Sequence, residues 1–260
     1  MIAVWFSNGA PSACALKLAV GKYGAENVMA LNNPVAEEDE DNLRFSREVA
    51  EWCGVEVQHI RNSSYPEASA VSVWDRRKGM SFPRGAPCTF HLKIEARQKW
   101  ERGTKVDWHV FGFTLEEKKR HDRFVLTERE NVLPVLIDAN MTRDMCFDMV
   151  RAAGIGLPRA YSWGLPNANC LGCVKATSPT YWNLIRSVAP EVFERRAEQS
   201  RRLGAKLVRV KNKRIFLDEL DPSAKGRKLK SMPDCGSFCE ERGAPIRPHQ
   251  PDMQDGRTND

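Results

Sequence analysis

The chain opens with an apolar run that leads directly into a short turn and an Ala- and Leu-rich helix, and this order constrains the fold strongly. Ile2 to Phe6 is a short, nearly continuous apolar segment, which is typical of a buried strand. Ser12 to Val20 instead carries apolar residues at helical spacing. A buried strand followed at once by a helix predicts the first unit of a parallel sheet.

The same alternation continues along the first half of the chain. Strands are predicted at 27–32, 55–60, 106–111 and 132–137, and helices at 41–53, 90–101 and 115–129. Residues 61–88, rich in Ser, Pro, Gly and Arg, are predicted as a long loop. Strands that alternate with helices favour an α/β fold with a doubly wound, mostly parallel sheet.

Beyond residue 140 the pattern changes. A helix is predicted at 142–153, a loop-rich stretch at 154–169, two helices at 181–203 and a hairpin from 206–211 and 215–220. We therefore divide the chain into an α/β domain over 1–140 and a cysteine-bearing, helical C-terminal region over 141–245. The polar, Pro-rich segment 246–260 is predicted to be a disordered tail.

The turn Ser-Asn-Gly-Ala-Pro-Ser after the first strand is a candidate anion site. Pro11 falls in the first turn of the helix, where its missing N–H does no harm. Free N–H groups at a helix start attract anions, which makes Ser7, Asn8, Gly9 and Ser12 candidate phosphate-binding residues. The alternative is a plain strand-to-helix turn with Gly9 at a positive φ.

Charge and hydropathy restrict the class of partner. The 260 residues include 40 basic and 34 acidic side chains, for a net charge of +6. This excess suits a polyanion such as a nucleic acid, and the stretches 195–213 and 225–230 are especially basic. No run approaches the roughly 18 apolar residues of a membrane span, and the N-terminus looks like a strand rather than a signal peptide. We expect a cytoplasmic protein with no membrane partner; its oligomeric state is not predicted.

The eight cysteines are too few for a disulfide scaffold, so their spacing matters more than their number. Cys170 and Cys173 form a C-x2-C pair, and Cys235 and Cys239 form a C-x3-C pair. Four thiolates in two close pairs suit either tetrahedral zinc or a 4Fe-4S cluster. The alternative is that these thiols are unrelated.

Cys88 stands apart, at the end of the predicted loop and just before a helix. A thiol at a helix start with Lys93 nearby is expected to have a lowered pKa, as a nucleophile or a metal ligand requires. The alternative is a half-buried loop cysteine. Cys14, Cys53 and Cys146 fall on apolar helix faces and are predicted to be core residues.

Four segments together resemble one family. The strand with Ser7 to Ser12 resembles the PP-loop of ATP pyrophosphatases and phosphoadenosine phosphosulfate reductases, the adenine nucleotide alpha-hydrolase-like group. Cys88 to Lys93 resembles the cysteine-and-lysine motif of these reductases and their sulfur-transfer relatives. Gly112 to Arg120 resembles their Gly-x3-Glu-(Glu/Ser)-x2-Arg segment, and Leu157 to Gly164 with the C-x2-C resembles their Leu-Pro-x2-Tyr-x2-Gly…Cys-x2-Cys run. The four occur in the family's order over about residues 1–175.

The resemblance implies a PP-loop fold that binds ATP or another adenine nucleotide with Mg²⁺. It implies that Lys93 and Arg120 hold phosphates and that Glu117 belongs to the same nucleotide site. Asn8 and Pro11 stand where the ATP pyrophosphatases have the first glycine and the aspartate of their loop. Iron-sulfur members of the reductase branch often carry a tandem Cys-Cys where this chain has Cys88-Thr89.

Two arrangements of an iron-sulfur cluster follow. In the first, the ligands are the two pairs, Cys170, Cys173, Cys235 and Cys239, and Cys88 is left for catalysis. In the second, Cys88 joins the C-x2-C pair and one of the later cysteines as a ligand. The first arrangement is favoured because its four ligands come as two pairs, with the two cysteines of each pair close in sequence.

Three functions remain open on the sequence. The first is iron-sulfur-dependent sulfur transfer that uses an adenine nucleotide, with a nucleic acid or nucleotide as acceptor and a sulfur-donor protein as a further partner. The second is reduction of a sulfonucleotide such as phosphoadenosine phosphosulfate, which needs no ATP and so tolerates Pro11 in the turn. The third is a nucleotide- or nucleic-acid-binding protein held together by zinc, with no turnover.

Overall fold

The computed structural model of the protein describes residues 1–82 and 85–229. Its central sheet is built from β1 (Ile2–Trp5), β2 (Val28–Asn32), β3 (Val57–His59), β4 (Trp108–Val110) and β5 (Val132–Leu133). The strand order is β3-β2-β1-β4-β5, and every neighbouring pair is parallel. The predicted α/β class with a parallel sheet is confirmed.

The first helices of the described residues are α1 (Ala10–Tyr23), α2 (Asp41–Cys53), α3 (Ala70–Arg77), α4 (Pro87–Thr89), α5 (Glu95–Arg102) and α6 (Lys118–Thr127). The later ones are α7 (Val135–Asp138), α8 (Arg143–Ala152), α9 (Arg159–Ser162), α10 (Pro179–Val188) and α11 (Pro190–Arg202). A π-turn, Phe90–Ile94, joins α4 to α5, and short 3-10 turns lie at Ala25–Asn27, Leu115–Glu117 and Leu217–Glu219. An antiparallel hairpin of β6 (Val208–Val210) and β7 (Lys213–Ile215) follows α11.

Alternate residues of β1 point to opposite faces of the sheet, as the two-residue repeat of a strand requires. Val4 packs in a cluster with apolar residues of α1, α2, α7 and α8. Trp5 packs in another cluster with aromatic residues from α5 and α6. Helices therefore cover both faces of the sheet, and both faces of its central strand are buried.

The chain reverses its winding between β1 and β4. From β1 it moves outward through β2 to β3, and it then returns to β4, on the other side of β1, before reaching β5. The loops that follow β1 and β4 consequently diverge at the carboxyl edge of the sheet. In open α/β sheets, ligands bind in the crevice that forms at such a switch point.

The predicted loop over 61–88 is wrong at residues 70–77, which form α3. The Ser69 side chain accepts a hydrogen bond from the Ser72 N–H and so caps this helix. The Glu37 carboxylate also accepts hydrogen bonds from the N–H groups of Ala70 and Val71, at 2.7 and 3.2 Å. A carboxylate from a distant loop thus stabilises a helix start that local sequence marks weakly.

Two further predicted elements are shorter or different. The strand predicted over 132–137 ends at Leu133, and residues 135–138 are helical. Pro134 explains the break because it has no N–H to continue the ladder of hydrogen bonds. The loop predicted over 154–169 contains a helical turn, Arg159–Ser162.

The C-terminal helices share a hydrophobic cluster with earlier parts of the chain. Trp182 and Ile185 of α10 belong to one cluster with Trp74 of α3 and Leu92 of the π-turn. Residues on both sides of position 140 therefore pack together. Cys235, Cys239 and the predicted tail over 246–260 lie outside the described residues.

Candidate functional site

The turn after β1 is held by its two serines. The Ser12 hydroxyl donates a hydrogen bond to the Gly9 carbonyl at 2.8 Å, and the Ser7 N–H donates to the Ser12 oxygen at 3.1 Å. The Ser7 and Ser12 hydroxyl oxygens lie 3.2 Å apart. The serines thereby fix a tight, hydroxyl-bearing turn at the start of α1.

The left-handed residue of this turn is Asn8, at φ 58°, and not Gly9, which has φ −102°. The expectation that Gly9 carries the positive φ in a plain turn is therefore wrong. Asparagine tolerates this backbone region better than most residues because its short polar side chain bonds locally. The Asn8 side chain is buried, and its Oδ1 has no hydrogen-bond partner in the described part of the chain.

Gly112 brings the loop after β4 against the start of α1. A Cβ atom placed on Gly112 would lie 2.7 Å from the Ser12 backbone nitrogen and 2.9 Å from its Cα. Those neighbours are backbone atoms and cannot rotate away. Only glycine therefore allows this approach, which closes one side of the crevice.

A cavity of about 430 Å³ occupies this crevice. Its volume falls in the range of small-molecule and cofactor sites. Three of the four predicted turn residues line it, joined by Pro11, and three more predicted residues line it from later segments, whereas Asn8 does not belong to the lining. These lining residues are Ser7, Gly9, Pro11 and Ser12 of the turn, with Lys93, Glu117 and Arg120.

The cavity wall is rich in cations. Lys93, Arg97, Arg120 and Arg143 line it, together with the carboxylates of Glu116 and Glu117. The Lys93 ammonium lies 3.3 Å from the Glu38 carboxylate, and both side chains are buried. The Arg120 guanidinium pairs with Glu117 and lies over the Phe113 ring. Four cations against two lining carboxylates make the cavity suited to an anion.

Glu117 has a structural role beside its place in the wall. Its carboxylate accepts a hydrogen bond from the Thr114 N–H at 3.3 Å, and the Thr114 side chain in turn accepts one from the Glu117 N–H. This capping box fixes the start of the helical segment that carries Arg120. The Gly112 to Arg120 segment is thus one preorganised wall of the cavity.

Tyr161 contributes a neutral donor to the turn. Its hydroxyl oxygen accepts a hydrogen bond from the Ala10 N–H at 3.4 Å, and it lies 3.3 Å from where a Gly9 Cβ would be. Burial raises the pKa of the Tyr161 hydroxyl to about 12, so the phenol keeps its proton at neutral pH. An anion at the turn can accept that proton in a hydrogen bond.

Several lining side chains were not predicted as site residues, among them Arg97, Arg143 and Tyr161. Arg97 is buried, with its guanidinium between the rings of Trp5 and Phe111 at 5.6 and 5.4 Å. Arg143 donates a hydrogen bond to the Pro166 carbonyl, and Tyr161 was noted only within a motif. For Arg97 a sequence signal was available, because it lies four residues after Lys93 on a predicted helix and so falls on the same helix face.

The C-x2-C turn is braced by two buried polar side chains. Gly172 adopts φ 68°, and its carbonyl accepts a hydrogen bond from the Arg196 Nε at 3.1 Å. The Cys173 N–H donates to the Tyr181 hydroxyl at 2.8 Å. Burial lowers the pKa of Arg196, whereas the nearby Glu37 and the thiols of Cys170 and Cys173 favour its charged form. The same attraction favours thiolates at this turn.

Cys88 packs against the same hydrophobic cluster as Cys170 and Cys173. Cys88, Cys170 and Cys173 are thus all associated with one hydrophobic cluster. Within residues 1–82 and 85–229, no group of three or more His, Cys, Asp or Glu side chains is arranged to hold a metal ion. Cys235 and Cys239, which the first cluster arrangement needs, fall beyond the described range. Cys14, Cys53 and Cys146 are core residues, as predicted.

A buried histidine behind the cavity gives a testable pH effect. The Trp5 indole N–H donates to His109 Nδ1 at 3.1 Å, and burial, followed by the charges of Arg129 and Arg97, lowers the pKa of His109 to about 3. An unfolded histidine titrates near 6.5, so between pH 6.5 and 3 the unfolded chain binds the extra proton. The free energy of unfolding should then fall by up to about 1.4 kcal/mol for each pH unit below 6.5.

Urea unfolding at pH 7 and pH 5 measures this effect. From pH 7 to pH 5 the free energy of unfolding should fall by about 2 kcal/mol more in the wild type than in His109→Gln. Only the wild type has the imidazole at position 109 that takes up a proton on unfolding. Parallel losses in the two proteins would show that His109 titrates normally in the folded state. The other histidines are common to both proteins and cancel in the comparison.

A scan against protein-family models finds no match to the chain, and the curated proteins also contain no match. No helix of the described ranges is long and apolar enough to cross a membrane. The chemistry of the cavity and of the cysteine turn therefore carries the functional argument.

Proposed function

We propose that this protein is a PP-loop enzyme that uses an adenine nucleotide to transfer sulfur, with an iron-sulfur cluster at its cysteines. One observation carries the proposal. The cavity lies at the strand-order reversal between β1 and β4, between a serine-rich helix start and a wall of cations. The order of the four family-like motifs supports the same assignment, because residues of two of them, the turn and the Gly112 to Arg120 segment, line this one cavity.

Phosphates would bind at the turn. The Ser7 and Ser12 hydroxyls, the helix start and the Tyr161 hydroxyl supply neutral donors, while Lys93 and Arg120 supply charge. The Lys93–Glu38 pair holds the lysine in a defined place before the ligand arrives. Glu116 and Glu117 supply carboxylate oxygens, the ligand type that Mg²⁺ takes beside phosphate oxygens.

The reaction would proceed by activation and displacement. An oxygen of the acceptor attacks the α-phosphorus of ATP, the bond to pyrophosphate breaks, and the acceptor oxygen becomes bonded to AMP. A donor persulfide passes its outer sulfur to the Cys88 thiolate, and the resulting Cys88 persulfide attacks the acceptor carbon while AMP leaves with the oxygen. Two external thiols then reduce the Cys88–acceptor disulfide, which leaves the sulfur on the acceptor, frees Cys88 and releases the thiols as a disulfide. The cationic wall stabilises negative charge on phosphorus during the first displacement.

The described cysteines fit part of a cluster site. Cys170 and Cys173 lie on a braced turn beside the buried Arg196 cation, which favours thiolate ligands. Cys235 and Cys239 would complete the set in the favoured arrangement, and Cys88 with one of them in the other. An iron-sulfur cluster, when bound, supplies a site that holds and presents sulfur.

A second candidate is a sulfonucleotide reductase. Pro11, at the second helical position of α1, places no carboxylate in the turn, and the lining carboxylates Glu116 and Glu117 come from the segment after β4. A turn without a carboxylate is compatible with chemistry that leaves the α-phosphate intact. The Cys88 thiolate would attack the sulfonate sulfur, and the nucleotide phosphate would leave.

Anaerobic purification with iron, sulfide and zinc analysis, followed by turnover assays, separates the three functions. About four irons and four sulfides per chain, with absorbance near roughly 400 nm and acceptor-dependent release of pyrophosphate from ATP, are expected for sulfur transfer. Sulfite release from a sulfonucleotide would instead identify the reductase. One zinc without sulfide or turnover would leave a nucleotide-binding protein.

Cys88→Ser should lower turnover by at least about a thousandfold while leaving iron content and absorbance unchanged, because a serine hydroxyl cannot replace the thiolate nucleophile. Cys53→Ala is the matched control, since burial raises the pKa of the Cys53 thiol to about 11 and keeps it unreactive in the core. Loss of the absorbance in Cys88→Ser would make Cys88 a cluster ligand and replace the first arrangement by the second.

A further inference from the structure

Two basic segments that are distant in sequence meet near the cysteine turn. The first is the β6–β7 hairpin and its flanks, and the second is a stretch that follows the final 3-10 turn. The first segment spans residues 205–217 and the second spans residues 222–229, and neither contains an Asp or a Glu. Together they present eight exposed cations, five from the first segment and three from the second: Lys206, Arg209, Lys211, Lys213, Arg214, Lys225, Arg227 and Lys228. We call this set the basic surface.

Residues 177–180 anchor both segments. The Arg209 N–H donates to the Thr177 carbonyl at 2.8 Å, which fixes the hairpin. The Gly226 N–H donates to the Thr180 hydroxyl at 2.8 Å, and the Ser178 hydroxyl donates to the Arg227 carbonyl at 3.4 Å. The two sets of cations are therefore held on one short stretch of backbone.

This stretch lies close to the candidate cluster ligands. Thr177 follows Cys173 by four residues, so the chain between them spans at most about 14 Å even when fully extended. The hairpin also packs its apolar residues, Val208 and Ile215 among them, on the cluster that contains Cys173. The basic surface is thus rigidly placed with respect to the C-x2-C turn.

Folding does not account for this concentration of charge. None of the eight cations makes an ion pair in the described part of the chain. The nearby acids are engaged elsewhere: Asp218 and Glu219 both pair with Arg201. Arg209 and Arg214 are directly opposite each other across the hairpin, a like-charge pairing that destabilises a sheet. An anionic partner at this surface would offset the cost of this pairing.

We propose that the basic surface binds the phosphate backbone of a nucleic acid, and that this nucleic acid is the acceptor of the transferred sulfur. Binding of a nucleic acid does not depend on the proposed function, whereas its role as the sulfur acceptor rests on that function. Eight cations on two anchored segments exceed what a single nucleotide needs and suit a run of phosphates. The large exposed apolar side chains of the described residues, among them Leu43, Trp108 and Leu126, lie outside 206–228, so the surface lacks the apolar contacts of a membrane-binding face.

The test replaces four exposed lysines whose side chains make no hydrogen bond within the described residues, using the variant Lys211→Gln, Lys213→Gln, Lys225→Gln and Lys228→Gln. The matched control removes four exposed cations from the sheet region: Lys22→Gln, Arg47→Gln, Lys105→Gln and Arg123→Gln. Both proteins lose the same net charge. Fluorescence anisotropy then measures binding of full-length protein to labelled RNA hairpins, single-stranded DNA and duplex DNA at several salt concentrations, with circular dichroism as the folding check.

The lysine variant should bind at least tenfold more weakly than wild type at low salt, and the slope of log affinity against log salt should shrink by about 3. The control should match wild type within about threefold. The three nucleic acids identify which form is preferred. Equal weakening in the control would reduce the effect to net charge and overturn the assignment, and so would tight binding of inorganic polyphosphate with no binding of any nucleic acid.

ATP binding, measured by calorimetry in the same proteins, separates this inference from the proposed function. If the wild-type protein binds ATP but no nucleic acid, the proposal for the basic surface is overturned and the proposed nucleotide site is supported. Nucleic-acid binding without ATP binding would overturn the nucleotide site and keep the surface. The lysine variant should bind ATP as wild type does, because none of its four positions lines the cavity.

Discussion

Replacing Gly112 by alanine should destabilise the protein by about 3 kcal/mol and remove nucleotide binding. The added methyl group would lie 2.7 Å from the Ser12 nitrogen and 3.0 Å from the Pro11 carbonyl carbon. Because these are backbone atoms, relief requires the start of α1 to move away from β4. Overpacking of a well-packed site typically costs about 1–3 kcal/mol, and a clash with fixed backbone falls at the upper end. The movement would also open the turn that we propose as the phosphate site.

Gly21→Ala provides the matched control for this prediction. Gly21 lies in α1, has an ordinary φ, and a Cβ there would meet no atom within 4 Å. Alanine at a helical glycine without a clash should stabilise by up to about 1 kcal/mol. Urea unfolding and ATP calorimetry on both variants measure the effects. Normal ATP binding by a folded Gly112→Ala protein would place the nucleotide elsewhere.

The sheet could be predicted from the sequence because its strands are short apolar runs separated by helices of clear periodicity. Ile2 to Phe6 and residues 27–32 contain the strands observed there, and their parallel pairing follows from the helices between them. Helix α3 could not be predicted in this way, because the Glu37 carboxylate that caps it comes from a loop 32 residues before Ser69. Local sequence carries no record of such a partner.

The candidate site was predictable in part for the same reason. The turn and the Gly112 to Arg120 segment are local motifs, so their residues could be identified from the chain alone, and they line the cavity. Arg143 could not, because it reaches the cavity through tertiary packing against the Phe147 ring, and the only sequence signal for Arg97 was its spacing of four residues from Lys93. Asn8 was predicted to contact the ligand, yet its side chain is buried and does not belong to the described lining.

Replacing Arg196 by methionine should destabilise the protein by about 3 kcal/mol and reduce bound metal at least tenfold. The change removes the hydrogen bond to the Gly172 carbonyl and the contact with the Trp74 ring, 4.5 Å from the guanidinium. Buried hydrogen bonds to charged groups contribute about 1.5–3 kcal/mol, and cation–π contacts add to this. The C-x2-C turn would also lose the nearby positive charge that favours its thiolates.

Urea unfolding, metal analysis and the rate of iodoacetamide alkylation in metal-free, reduced protein measure these effects. Alkylation at pH 7.5 should be slower in Arg196→Met, since less thiolate is present. Arg195→Met is the matched control, because Arg195 is exposed on the same helix and its side chain, among the described residues, bonds only to the Glu191 carbonyl of the preceding turn.

Arg196→Lys separates geometry from charge. Lysine keeps the positive charge but lacks the planar fork that bonds to Gly172 while lying over Trp74. Arg196→Lys should therefore be destabilised nearly as much as Arg196→Met, while its cysteines are alkylated at nearly the wild-type rate. If alkylation is also slow in Arg196→Lys, the positioning of the turn and not the charge of Arg196 determines thiol reactivity. Metal retained in all three variants would show that the C-x2-C pair binds its metal without help from Arg196.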